Sequence, residues 1–143
     1  MNMDRLKKQL KDDEGERLKV YKDTRGFPTV GVGHLVRPAD MLHVGDRITQ
    51  EQCDIFFDYD LARTVVDCKR EIDGWADFPD EVQEILANMA YNLGITGLLK
   101  FKNTLYQLRH KEYDKAANAL VASLWYSQVG NRSKRIVARL RAL

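Results

Sequence analysis

Only two of the 143 residues are cysteine and three are proline, and no apolar stretch approaches the roughly 18 residues of a membrane-spanning helix. Cys53 and Cys68 are too few for a disulfide framework and make no metal-binding pattern. Placed on one helix they lie about 22 Å apart, beyond the reach of a bridge, so both are expected as free thiols of a reducing compartment. The charged opening MNMDRLKKQLKDDEG lacks the apolar core of a secretory signal. The expectation is a protein made soluble in the cytoplasm, with no stable membrane association. An excess of one charge is missing too: 23 basic against 21 acidic residues leave a net charge of +2, too even to argue for nucleic acid. Only NRSKRIVARLRAL, from Asn131 onward, is basic without an acid. It reads either as a helix face with internal ion pairs or as a surface for an anionic polymer.

What is present is a chain rich enough to fold. With 44% hydrophobic and 31% charged residues it is globular rather than disordered, and its length suits one domain. Met3, Leu6 and Leu10 recur at helical spacing and Gly15 supplies a stop, which predicts a helix over 3–14. RLKVYK alternates as a strand, DTRG is a turn and TVGVGH alternates again, which predicts a β-hairpin over 17–22 and 28–34. Pro38 and Gly45 mark an irregular connection. Thr49 with Gln52 forms a capping-box signature ahead of a long helix over 49–72. After a break at Gly74 and Pro79, a buried helix runs to Gly94, and three shorter helices follow near 101–110, 112–124 and 132–142. The expected architecture is α+β: a small lobe over 15–48 and the connecting helix 49–72. A helical lobe over 73–143 is expected to include the N-terminal helix.

The chemistry concentrates in EGERLKVYKDTRGFPTVGVGH, residues 14–34. Glu14 falls in the last turn of the first helix, where the negative dipole end and neighbours Asp12, Asp13 and Glu16 disfavour the carboxylate form. That environment suits a general acid. Asp23 opens a solvated turn beside Lys22, Arg25 and free backbone N–H groups, which favours the charged form. One protonated and one ionised carboxyl is the division of labour used to cleave a glycosidic bond. On a continuous return strand, Thr29, Gly31 and Gly33 would share one face, a hydroxyl beside a floor without side chains. Each residue taken singly has a plainer role: a surface acid, a turn former, a twist device.

Taken together, DEGERLKVYKDTRGFPTVGVGH closely resembles the N-terminal segment of the T-even type phage lysozymes, or endolysins, of glycoside hydrolase family 24. The motif in that family is a Glu, eight residues, an Asp, five residues and a Thr, then Gly-x-Gly-His. Glu14, Asp23, Thr29 and GVGH stand at that spacing. NMAYNLGITG (88–97), FKNTLYQL (101–108) and WYSQVGNRSKR (125–135) extend the resemblance over most of the chain.

The resemblance implies hydrolysis of the β-1,4 bond between N-acetylmuramic acid and N-acetylglucosamine in peptidoglycan, without metal or other cofactor. Glu14 would protonate the leaving oxygen. Asp23 and Thr29 would place water on the opposite face, giving inversion across a carboxyl gap of about 6.5–9.5 Å. It also implies saccharide contacts at Gly33, Leu35, Tyr91, Asn92 and Thr104. Arg132 and Arg135 would hold the acid-bearing helix end through Asp13 and Glu14, and His34 would be structural, paired with a carboxylate. Trp125 and Tyr126 read as core rather than as a sugar platform. The 35–48 segment is shorter than in those relatives, Leu124 and Val129 replace polar or basic cleft residues, and the last short helix is missing after Leu143. The expected setting is a monomer that reaches peptidoglycan strands in the cell wall after a holin opens the inner membrane. The rival reading is a non-catalytic wall-binding or nucleic-acid-binding module, which has no need to keep Glu14, Asp23 and Thr29 together.

Overall fold

The computed structural model describes residues 1–143. Seven helices and one small antiparallel sheet make an α+β, lysozyme-like architecture. The backbone groups into two compact units, Met3–Arg63 and Thr64–Leu143, the latter joined by Met1 and Asn2.

The first unit opens with α1 (Met3–Glu14), bounded as its periodicity predicts. Leu6 and Leu10 are fully buried, and Lys7 bridges to Asp58 at 3.3 Å. Lys11 lies over the Phe57 ring at 5.8 Å. These ties place α1 in this unit, whereas the sequence reading set it with the helical lobe. Strand β1 (Arg17–Lys22) pairs with β2 (Pro28–Gly31), and β2 with β3 (His34–Leu35), in the order β1-β2-β3. The other edge of β1 is satisfied by the 46–48 segment, through Val20 N–H to Asp46 O at 2.8 Å and Ile48 N–H to Leu18 O at 2.8 Å.

The return strand differs from the expected continuous 28–34. Gly31 and Gly33 have φ of +66° and +64°, a left-handed conformation that ends extended pairing and turns the chain. Two short strands result, and the simple alternation of faces stops at Gly31. The segment 35–48 carries a short 3-10 turn at Pro38–Asp40.

Helix α2 (Gln50–Glu71) starts in this unit and ends in the next. Its capping box forms as read: Thr49 N–H donates to Gln52 Oε1 at 2.8 Å, and Gln52 N–H donates to Thr49 Oγ1 at 3.1 Å. Both termini of the motif use otherwise unpaired backbone donors.

The second unit is helical. Helix α3 (Asp80–Leu98) buries Val82, Ile85, Leu86 and Met89 and opens on Asp80 and Glu81, which suit its positive end. Gly94, expected as its stop, is a kink (φ 73°, ψ 159°), and the helix resumes to Leu98. Then come α4 (Lys102–Arg109), α5 (Tyr113–Val121), α6 (Leu124–Gln128) and α7 (Asn131–Arg141). Helix α6, capped by Ser123, was hidden in the sequence because five residues are too few to show a period. Leu105, Leu108, Leu120, Trp125, Ile136 and Leu140 are all buried in this unit. No helix is long and apolar enough to cross a membrane.

Candidate active site

Glu14 is the last residue of α1. The helix closes on Gly15, whose φ of 74° is left-handed and whose N–H donates to Lys11 O at 2.9 Å. The Glu14 side chain lies against Gly33: a methyl group there would stand 2.7 Å from Oε2 and 3.0 Å from Cδ. At Gly31 it would meet Cys53 Sγ at 3.2 Å. The missing side chains therefore make room for the protein's own groups. The space beside Gly33 is filled by Glu14, which corrects the reading of a floor left open to a polymer.

Asp23 is held by its turn. Oδ1 accepts the N–H groups of Arg25 at 2.9 Å and Phe27 at 2.8 Å, and Asp23 N–H closes the hairpin onto Phe27 O at 2.9 Å. This Asx-type arrangement fixes the carboxylate plane and leaves Oδ2 outside the turn's hydrogen bonds. Thr29, buried, donates its hydroxyl proton to the same Phe27 O at 3.0 Å. Phe27 thus ties Asp23 and Thr29 together, and toward a further ligand the Thr29 oxygen acts as an acceptor. Leu35, on β3, is exposed.

Tyr21 is the residue that sequence reasoning passed over. It stands directly opposite Thr29 in the β1–β2 register, and the Arg17 guanidinium covers its ring at 4.2 Å. Burial pushes the phenol above its ordinary range; the Arg17 charge opposes this, and the charges of Glu14 and Asp23 add to it. The signal available beforehand was its position near the end of β1, two residues before Asp23.

His34 is buried, with a carboxylate at each ring nitrogen. Nδ1 meets Asp60 Oδ2 at 2.7 Å and Nε2 meets Asp40 Oδ2 at 2.9 Å, while the ring stacks on Phe56 at 4.0 Å. Burial alone would lower the imidazole's affinity for a proton, but the two carboxylates outweigh it and the pKa is raised above 6.5. Asp40, for which burial works the other way, is lowered below 3.8 by the Arg37 N–H and by His34. The raised histidine stabilises the fold fully below its unfolded pKa and loses that contribution as pH climbs through its folded value. The depressed aspartate stabilises above 3.8 and is lost as pH falls through its folded value. The thermal midpoint is therefore expected to fall as pH rises from 6.5 toward 9. In His34→Asn that fall should flatten, with a loss near pH 6 of about 3 kcal/mol, the scale for breaking a buried ion pair.

In the second unit Asn92 is exposed on α3, and its Oδ1 accepts Trp125 Nε1–H at 3.0 Å. Tyr91 beside it is half-buried. Trp125 is buried and packs edge-on against Phe101, a core residue as read. Thr104 is only 3% exposed, so its hydroxyl offers no surface to a sugar, and it belongs to the packing of α4. Leu124 is exposed and Val129 half-buried.

The basic stretch of α7 resolves mostly into internal pairs. Arg139 Nε donates to Glu81 at 2.6 Å, and Arg141 donates to Asn118 at 2.8 Å. The buried Arg132 donates from Nε to Asn88 Oδ1 at 2.9 Å and from Nη2 to Asn88 O at 3.0 Å, joining α7 to α3. Removing it deletes both hydrogen bonds to the buried Asn88, so Arg132→Ala should cost about 2 kcal/mol of unfolding free energy, read by urea titration. Arg135 lies on the exposed side of α7, and Asp13 is half-buried one residue before Glu14.

Both cysteines are buried free thiols. Burial, with Glu16 beside it, pushes Cys53 up to about 11, and burial pushes Cys68 to about 12, so neither is a nucleophile at neutral pH. Glu16, Cys53 and Asp54 bring possible ligand atoms within 4.8 Å of one another. Gln50 Nε2 already donates to both carboxylates, at 2.7 and 3.0 Å, and the protonated thiol makes the group a polar junction.

An α+β fold carrying a carboxylic acid at a helix end, and an aspartate and threonine joined in a hairpin, defines a lysozyme-type glycoside hydrolase. The phage lysozyme family model matches residues 11–142, and the chain belongs to that family. It is 34% identical to an endolysin of Salmonella phage P22, over 82% of this chain and 77% of that one. It is 29% identical to a probable T4-type lysozyme of Dictyostelium discoideum, over 93% and 91%. It is also 33% identical to the pre-baseplate central spike protein Gp5 of Enterobacteria phage T4, over 92% of this chain. There the chain spans about a quarter of the relative's length, 26%.

Proposed function

We propose that this protein is an endolysin, a muramidase that hydrolyses the β-1,4 bond between N-acetylmuramic acid and N-acetylglucosamine with inversion, for lysis of a bacterial host. The observation that carries the reading is the pairing of acceptors: Asp23 and Thr29 are fixed through one carbonyl, that of Phe27. A water held by both would donate its two protons to them, leaving a lone pair free to attack the anomeric carbon. As the new C–O bond forms, that water yields a proton to Asp23, while Glu14 gives its own to the departing glycosidic oxygen. One water is consumed and both carboxyls exchange roles by one proton, to be reset by solvent. Gly33 holds the Glu14 carboxyl from behind. Leu35, Tyr91 and Asn92 are assigned to the glycan; Arg132, Arg135 and Asp13 support the machinery without touching it. The protein works as a monomer, made in the cytoplasm and released to the wall by a holin.

Loss of turbidity in outer-membrane-permeabilised Gram-negative cells tests this reading. The wild type should clear the suspension, and ¹H NMR of the first products should show the α anomer at the new reducing end. No clearing by the folded wild type from pH 4 to 8 would overturn the enzyme reading. A β anomer as first product would overturn inversion.

A further inference from the structure

We propose that Tyr21 is a positioning residue for the attacking water, its phenol held in place by Arg17 on one side and by the strand pairing with Thr29 on the other. The inference rests on the muramidase reading and deepens it. Three placements carry it. Tyr21 faces Thr29 directly across β1 and β2, and directly opposed side chains of an antiparallel pair share a face and lie within contact distance. Asp23 follows the end of β1 directly and stands two residues after Tyr21 in the chain. The guanidinium of Arg17, 4.2 Å over the ring, closes one face of the aromatic and leaves its edge and hydroxyl as the groups that can meet solvent or substrate.

A half-exposed phenol in that position has a defined use. Asp23 and Thr29 are both acceptors toward the water, and nothing in that pair opposes its rotation about the two hydrogen bonds. A third polar contact removes that freedom and fixes the direction of the lone pair, which is the condition for in-line attack. For this the phenol must stay un-ionised. Burial and the nearby acids Glu14 and Asp23 keep it so well into the alkaline range, with Arg17 opposing them. The guanidinium also keeps the ring from swinging out, because an Arg stacked on an aromatic face restricts both groups.

Tyr21→Phe tests the assignment by deleting the hydroxyl alone. On a soluble peptidoglycan fragment, kcat should fall at least tenfold with KM changed less than twofold. The melting temperature should stay within about 2 °C, as expected for loss of one partly exposed hydroxyl. Arg17→Gln, which frees the ring but keeps the phenol, should lower kcat in the same direction by a smaller factor. If Tyr21→Phe lowers the melting point below the assay temperature, Arg17→Gln alone decides, and an unchanged kcat there overturns the proposal. Unchanged kcat in Tyr21→Phe, or a raised KM with kcat intact, overturns it as well, making the residue packing or a sugar contact. Wild-type activity measured in parallel separates the cases: an inactive wild type defeats the muramidase reading, whereas an active wild type with fully active Tyr21→Phe defeats only this inference.

Discussion

Glu14→Gln should fold normally and lose on the order of 100- to 10,000-fold in kcat, the range that a general acid contributes. The substitution keeps the length and shape of the side chain, and the room left by Gly33 accepts an amide as readily as a carboxyl. What disappears is the proton for the leaving oxygen. Because the glycan contacts are untouched, KM for a soluble peptidoglycan fragment should move less than threefold, the pattern of an interaction made only in the transition state. Melting temperature should hold, since the amide keeps the size and shape of the side chain. A variant that retains more than a tenth of wild-type kcat would place the acid elsewhere.

Gly33→Ala should be the most damaging substitution outside the proposed trio of Glu14, Asp23 and Thr29. Two effects combine there. The φ of +64° costs an L-residue about 1–2 kcal/mol. A methyl group 2.7 Å from Glu14 Oε2 and 3.3 Å from its Cγ must displace the acid itself. A misplacement of about 1 Å in a reacting group can cost 100-fold in rate, so kcat should fall by about that factor. Gly45→Ala separates the two effects. Its φ is +95° with open space around the new Cβ, so it should lose comparable stability and keep full activity. Equal activity in the two variants, measured at one temperature below both melting transitions, would show that Gly33 serves backbone conformation alone.

Much of the fold was legible because it is written locally. The bounds of α1 follow from Leu6, Leu10 and Gly15, and the start of α2 from Thr49 and Gln52, all within a few residues of the structure they specify. The glycines at 31 and 33 announced that space was needed, but not for which neighbour. Only tertiary structure brings Glu14 to one and Cys53 to the other. The same two residues broke the expected strand, since their backbone turn outweighed the apolar alternation. The partners of His34 lie 26 and 6 residues away, at Asp60 and Asp40, and the Asn88 that holds Arg132 lies 44 residues off. No periodicity marks such pairs. Tyr21 was missed because an aromatic in a strand has a sufficient explanation in β propensity; its register with Thr29 supplied another.

The most direct test of the central claim is the chemical identity of the ends released from purified peptidoglycan sacculi. Borohydride reduction after digestion by the wild-type protein should convert N-acetylmuramic acid to its alditol, with no reduced N-acetylglucosamine, and Glu14→Gln should release neither. New N-acetylglucosamine ends, new free amino groups from the stem peptides, or no new ends of any kind would contradict the muramidase account.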